Sequence, residues 1–261
     1  MALADPTVLC DLDGVIYRGG SVLPGVPEAL SRLRDFGVGI FYMTNNSTRT
    51  PAEGAEKIRV LTGIETDESQ VLSSSLAAVG VLGPDDGPVL VVGESGVSDA
   101  VARAGLEETD DPDLARSVLV GLARHIDYDL LGRAMAAIRS GARFIATNDD
   151  ATFPTEDGFM PGAGAIVAAI AASTSREPIV AGKPHPPMRE LIRSRGVGAA
   201  WVIGDRPDTD IAIARDEPDW VSILVLTGVA GSEDREAYEA DHVVADFPAA
   251  VDLVLSSIRK S

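Results

Sequence analysis

Short, almost wholly apolar runs alternate along this chain with stretches whose apolar residues recur every third or fourth position. The runs, bounded by turn-forming residues, predict strands over Val8–Leu12, Val38–Met43, Val89–Val92, Val118–Gly121, Phe144–Ala146, Ile179–Ala181, Trp201–Ile203, Ile223–Leu226 and Val243–Val244. The helical spacing predicts helices over Val26–Phe36, Pro51–Leu61, Ala100–Ala104, Leu130–Arg139, Ala163–Ala172, Pro187–Arg195 and Ala249–Ile258. Continuous apolar strands that trade places with amphipathic helices imply an α/β chain on a mainly parallel sheet. The strongest breaker cluster is Gly83-Pro84-Asp85-Asp86-Gly87-Pro88, and Glu177-Pro178 is a weaker one. The segment between them has its own alternation. The expectation is therefore an insert of residues 79–179 within a first domain of residues 1–78 and 180–261.

In open parallel sheets, ligands gather at the carboxyl ends of the strands, and four polar clusters fall at such ends. Asp11-Leu12-Asp13-Gly14 follows Val8-Leu9-Cys10. Two carboxylates two residues apart enter a glycine turn, where a side chain and a backbone carbonyl can aim at one point. That suits a hard cation such as Mg²⁺, and it sets a nucleophile beside an acid/base group. Thr44-Asn45-Asn46-Ser47 offers a hydroxyl and freed backbone amides for a phosphate or another oxyanion. Lys183-Pro184 follows Ile179-Val180-Ala181-Gly182, and Asp205-Arg206-Pro207-Asp208-Thr209-Asp210 follows Trp201-Val202-Ile203-Gly204 with acids able to complete a cation site. Each cluster alone has a plainer reading: a turn, a helix cap at Ser47 or Thr48, a solvated lysine, a capping aspartate. Four of them, in order, at four strand ends outweigh those readings.

At 261 residues and 45% hydrophobic, the chain can bury a substantial core. No apolar run approaches the roughly 20 residues that span a bilayer, and no secretory leader pattern opens the sequence, so a cytoplasmic location is expected. The single cysteine, Cys10, rules out an intramolecular disulfide and is expected in the core, on the strand face opposite Asp11. His125, His185 and His242 have no ligand spacing. The net charge of −18 argues against nucleic-acid and anionic-membrane partners. It also requires local positive charge if the substrate is phosphorylated. Of 22 basic residues only Lys57, Lys183 and Lys260 are lysine, which makes Lys183 conspicuous. An acid-rich, lysine-poor surface fits either a high-salt cytoplasm or an acidic protein from a GC-rich genome.

Taken together, Asp11-Leu12-Asp13-Gly14-Val15-Ile16-Tyr17, Thr44-Asn45-Asn46-Ser47, Gly182-Lys183-Pro184 and Gly204-Asp205-Arg206-Pro207-Asp208-Thr209-Asp210-Ile211 resemble the four motifs of the haloacid dehalogenase superfamily. More narrowly they resemble its type IIA branch of NagD-like and 4-nitrophenylphosphatase-like phosphatases. The resemblance implies a Rossmann-like core with an inserted α/β cap, to which Thr147-Asn148-Asp149-Asp150 and Pro161-Gly162-Ala163-Gly164-Ala165 are similar. It implies Asp11 as the nucleophile that forms an aspartyl-phosphate and Asp13 as the acid/base. Mg²⁺ would be held by Asp11, the backbone carbonyl of Asp13, and Asp205, with Asp210 supporting that shell and a cap as the plainer reading of Asp208. Thr44, the amides of Asn45 and Asn46, and Lys183 would bind the phosphoryl group. In the cap, Asn148, Asp150 and Phe153, with Thr155 and Met160, are candidates for reading the substrate, and cap core is the plainer reading of Phe153 and Met160.

The activity implied is Mg²⁺-dependent hydrolysis of small phosphorylated metabolites, and a homodimer is a further expectation because relatives dimerise through the cap. Two other readings stand beside it. A phospho-accepting signalling module also joins paired acids, a hydroxyl and a lysine, but has no insert and needs no acid at the position of Asp13. A phosphotransferase or mutase would replace water by a sugar hydroxyl.

Overall fold

The computed structural model describes residues 6–155, 158–228 and 239–259. The chain divides into two compact units. The first holds residues up to Thr44, then Ala52–Leu72, and then the chain from Ile192 onward. The second holds Asn45–Pro51 and Ser73–Leu191.

In chain order the strands are β1 (Thr7–Asp11), β2 (Tyr17–Arg18), β3 (Ser21–Val22), β4 (Gly39–Thr44), β5 (Val71–Ser73), β6 (Val89–Val92), β7 (Ser117–Val120), β8 (Arg143–Ala146), β9 (Thr152–Thr155), β10 (Gly158–Pro161), β11 (Ile179–Val180), β12 (Ala200–Gly204), β13 (Trp220–Val225) and β14 (His242–Val244). The helices are α1 (Val26–Asp35), α2 (Pro51–Thr62), α3 (Ser74–Val79), α4 (Ser95–Arg103), α5 (Tyr128–Arg139), α6 (Ala163–Thr174), α7 (Pro186–Ser194) and α8 (Phe247–Ile258).

The first unit is built on a six-stranded sheet in the order β14-β13-β12-β1-β4-β5. The pairings of β1 with β4 and β12, of β12 with β13 and of β13 with β14 are parallel. Every residue of β1 is buried, which its unbroken apolar run requires of a strand covered on both faces. The chain leaves β1 for β4 on one side and returns to β12 on the other, so the topological switch point lies at β1. Helix α1 turns Val26, Ala29, Leu30 and Leu33 inward and packs beside α8, which buries Phe247, Ala250, Val251, Val254 and Leu255. Cys10 lies in this core with Leu30 and Val254, as its strand position predicts.

The second unit has its own parallel sheet, β11-β8-β7-β6, and its own core of Leu90, Val118, Val120, Ile138, Phe144, Val167 and Ile170. An antiparallel pair, β9 and β10, adjoins it in sequence. Three features escaped the apolar pattern. The pairs β2–β3 and β9–β10 are too short or too exposed to read as runs. The segment forming β5 and α3 is serine-rich, and serine alone favours caps over helix interiors. Helix α4 starts at Ser95 rather than Ala100, because Gly96 in its first turn weakens the helical signal.

Candidate active site

The C-terminal end of β1 delivers Asp11 to the switch point of the sheet. The register pairs Asp11 with Met43 on β4 and Cys10 with Ile203 on β12. Thr44 on one side and Asp205 on the other therefore end the flanking strands, at the interstrand spacing of about 4.8 Å. Asp13 stands exposed on a tight loop in which the Gly14 amide donates to Tyr17 O (2.8 Å) and the Ile16 amide to Leu12 O (2.9 Å). Buried Leu12, Val15, Ile16 and Tyr17 anchor the loop, which leaves the Asp13 carboxylate as its wet group.

Carboxylate oxygens of Asp11, Asp205 and Asp210 lie within 4.8 Å of one another, and all three residues are buried. Three negative charges at this separation repel strongly away from bulk water, and an all-oxygen donor set fits a hard divalent cation. Asp210 has a further task. Its Oδ2 accepts from the backbone amides of Asp205 and Arg206, each at 3.1 Å, and so fixes the loop that carries Asp205. Asp208 is exposed and pairs with Arg206 at 2.9 Å, outside this carboxylate group.

A further wall joins Gly14 of the first motif to Gly228, which the motifs did not include. A Cβ on Gly228 would stand 1.7 Å from Asp205 Oδ2, and one on Gly14 (φ +88°) would stand 2.6 Å from it. The Asp205 carboxylate is thus held between two residues without side chains, one of them in the left-handed region that favours glycine. Thr227 Oγ1 donates to Gly14 O at 2.6 Å, and the Arg18 guanidinium donates to Thr227 O, tying the loop after β13 to the Asp13 loop. The sequence did carry a signal: Thr227-Gly228 follows the apolar run Ile223–Leu226 and is a fifth polar cluster at a strand end.

The remaining candidates lie in the second unit. The Asn45 carboxamide faces Lys183: Asn45 Oδ1 accepts from the Lys183 amide at 2.8 Å and Asn45 Nδ2 donates to Lys183 O at 3.1 Å. Nδ2 also donates to Asp150 Oδ2 at 3.1 Å. Asn148 is buried, donates to Asn45 O at 2.7 Å and accepts from the Asp150 amide at 3.2 Å. Asn46 Oδ1 accepts from the amide and hydroxyl of Thr48, a local turn in the place where a helix cap at Ser47 or Thr48 was an alternative. Lys183 is buried. His185 lies 3.4 Å from Asp149. Phe153, half-buried on β9, is in register with exposed Met160 on β10, and Thr155 is exposed.

A parallel α/β sheet with a buried carboxylate cluster at its switch point is an arrangement able to hold a divalent cation and handle a phosphoryl group. Residues 8–107 match the model of the haloacid dehalogenase-like hydrolases, and residues 180–250 match the related HAD-hydrolase-like model. An acid sugar phosphatase of Staphylococcus saprophyticus is 36% identical over 233 residues, 87% of this chain and 89% of that protein. The 5'-nucleotidase YutF of Bacillus subtilis is 37% identical over 230 residues, 86% of this chain and 88% of that one. A glycerol phosphate phosphatase from Mycobacterium tuberculosis, solved in complex with magnesium, superposes with a TM-score of 0.86 at 33% identity, covering 95% of this chain and 76% of that one. The chain belongs to the haloacid dehalogenase-like hydrolases, within their NagD-like phosphatases, and is a phosphoric monoester hydrolase. No helix among the described residues is long and apolar enough to cross a membrane.

Proposed function

We propose that this protein is a Mg²⁺-dependent phosphatase of small phosphorylated metabolites that works through a phosphorylated Asp11. The observation that carries the reading is the convergence of the buried Asp11, Asp205 and Asp210 carboxylates beside the exposed Asp13. Asp11, the backbone carbonyl of Asp13, and Asp205 would hold the ion, with Asp210 bracing Asp205. Bound there, Mg²⁺ supplies charge neutralisation for the carboxylates and the phosphoryl oxygens.

An Asp11 oxygen attacks phosphorus in line with the ester oxygen. The phosphorus–ester bond breaks, and Asp13 gives its proton to the leaving alkoxide. Water then attacks the phosphorus of the aspartyl-phosphate, Asp13 takes the proton, and the bond to Asp11 breaks to release phosphate. Thr44, the amides of Asn45 and Asn46, and Lys183 bind the phosphoryl oxygens, whose spread charge makes positioned donors and cations the main source of catalysis. Lys183 would set a positive charge beside the phosphoryl group, against the surplus of acids in a chain of net charge −18. The relatives act on sugar phosphates, nucleotides and glycerol phosphate by their names. This supports small phosphomonoesters as the substrate class, with Asn148, Asp150 and Phe153 as candidates for choosing among them.

The test is phosphate release from a panel of sugar phosphates, nucleoside monophosphates, glycerol phosphate and 4-nitrophenyl phosphate, with Mg²⁺ or with EDTA. Release that requires the metal and disappears in a folded Asp11→Asn variant is expected, with a phosphoryl mass increment on the Asp11 peptide after acid quench. Full turnover by Asp11→Asn, or undiminished turnover in EDTA, would refute the mechanism.

A further inference from the structure

Two buried residues outside the four motifs converge on the Asn45 carbonyl. Ser74 Oγ donates to it at 2.8 Å and Asn148 Nδ2 at 2.7 Å. Neither side chain is accessible: Ser74 is 0% and Asn148 4% exposed. In this setting hydrogen bonds are electrostatically strong, and losing one leaves a polar group unsatisfied at a cost.

A carbonyl held from two sides fixes more than itself. The peptide unit is planar and trans, so the direction of Asn45 C=O sets the opposite direction of the Asn46 N–H. With the Asn45 backbone fixed, its carboxamide reaches both backbone groups of Lys183, one bond to the N–H and one to the C=O. The approach leaves no room for a side chain at residue 182, since a Cβ on Gly182 would lie 2.5 Å from Asn45 Oδ1. Asn148 Oδ1 accepts from the Asp150 amide, and the Asp150 carboxylate accepts from Asn45 Nδ2, which closes the cluster on itself.

We infer that Ser74 and Asn148 are positioning residues that aim the Asn46 amide at the phosphoryl group and, through the Asn45 carboxamide, fix the backbone from which the Lys183 ammonium reaches that group. The inference rests on the phosphatase reading above and adds to it residues whose action is on the two phosphate-binding segments and not on the substrate's leaving group. It also gives Asn148 a duty other than reading the substrate.

Lysine scarcity makes the test direct. Only Lys183 among the three lysines follows a glycine, so ¹³C-carbonyl glycine with ¹⁵N-lysine gives a single signal for the Gly182–Lys183 peptide. Asn45→Ala, which removes both bonds to Lys183, sets the full extent of the effect. In Ser74→Ala and Asn148→Asp the Lys183 amide is expected to move toward that limit and to exchange its hydrogen about tenfold faster. The inhibition constant for inorganic phosphate should rise about tenfold, the equivalent of one lost hydrogen bond of ~1.4 kcal/mol. Ser74→Thr keeps a hydroxyl donor and should restore both readouts. The inference is overturned if folded Ser74→Ala and Asn148→Asp keep the wild-type Lys183 signal. It is equally overturned if that signal moves while phosphate inhibition does not, because the cluster is then only structural. Failure of the phosphatase reading itself is distinguishable: it shows in the wild-type chain alone, as neither phosphate release nor phosphate inhibition.

Discussion

Two carboxylates two residues apart have separate fates in this chain: Asp11 is buried at the strand end and Asp13 is exposed on a loop. Their substitutions should therefore part company. Asp13→Asn keeps the backbone carbonyl proposed as a metal ligand and loses the proton shuttle. Turnover should fall by about 10²–10⁴-fold with the Mg²⁺ requirement little changed. Asp205→Asn should instead raise the Mg²⁺ concentration for half-activation by at least about tenfold, since one charged oxygen ligand becomes a neutral amide. Gly228→Ala should act in the same direction, because its Cβ would displace the Asp205 carboxylate from 1.7 Å away. Metal titrations of initial rate, with a thermal melt to confirm folding, separate Asp13→Asn from the other two. Asp11, Asp13, Asp205 and Asp210 stand out in the sequence because they belong to polar clusters that follow apolar runs. Gly228 showed only as part of a polar cluster at a strand end, and its need to lack a side chain was hidden because the Asp205 carboxylate that excludes one lies on another loop.

Among the secondary-structure elements, α8 and β14 carry measurable consequences. The Asp246 carboxylate accepts from the Ala249 amide at 2.9 Å and caps α8, so Asp246→Ala should cost about 1 kcal/mol, read as a lower urea midpoint. At the start of β14 the Asp241 carboxylate accepts from the Ser222 amide (2.8 Å) and hydroxyl (2.7 Å). These bonds, the amide foremost, hold its carboxyl below the usual carboxylate range. A depressed native pKa stabilises the fold above the unfolded value of about 3.9, and that contribution is lost as pH falls through the native one. Ser222→Ala should thus lower the urea midpoint near pH 6 and narrow its difference from the midpoint near pH 3. Helices with a clean amphipathic period, such as α1, α5 and α8, were legible almost to their ends. The short pairs β2–β3 and β9–β10 exist through pairing alone, which no run of residues announces.

For the molecule as a whole, a net charge of −18 on 261 residues sets a self-repulsion that salt screens. The Debye length shrinks from about 10 Å at 0.1 M to about 3 Å at 1 M. Melting temperature should therefore rise between 0.1 M and 2 M KCl, and a flat or falling response would separate the acidic composition from any high-salt adaptation. The run-and-helix alternation was enough to define an α/β chain with a parallel sheet, and the polar clusters after the runs were enough, as a set, to resemble the haloacid dehalogenase-like hydrolases. Both follow from local rules: burial on two faces demands continuous apolar residues, and strand ends are where backbone and side chains become free to bind. Contacts across the sequence were decided only by the tertiary structure. It set Gly14 and Gly228 around the Asp205 carboxylate, and Ser74 and Asn148 on the Asn45 carbonyl, 29 and 103 residues away. Such pairings depend on how strands order themselves in a sheet and how loops close over it. A side chain's partner across that distance is set by packing, which the local pattern does not encode.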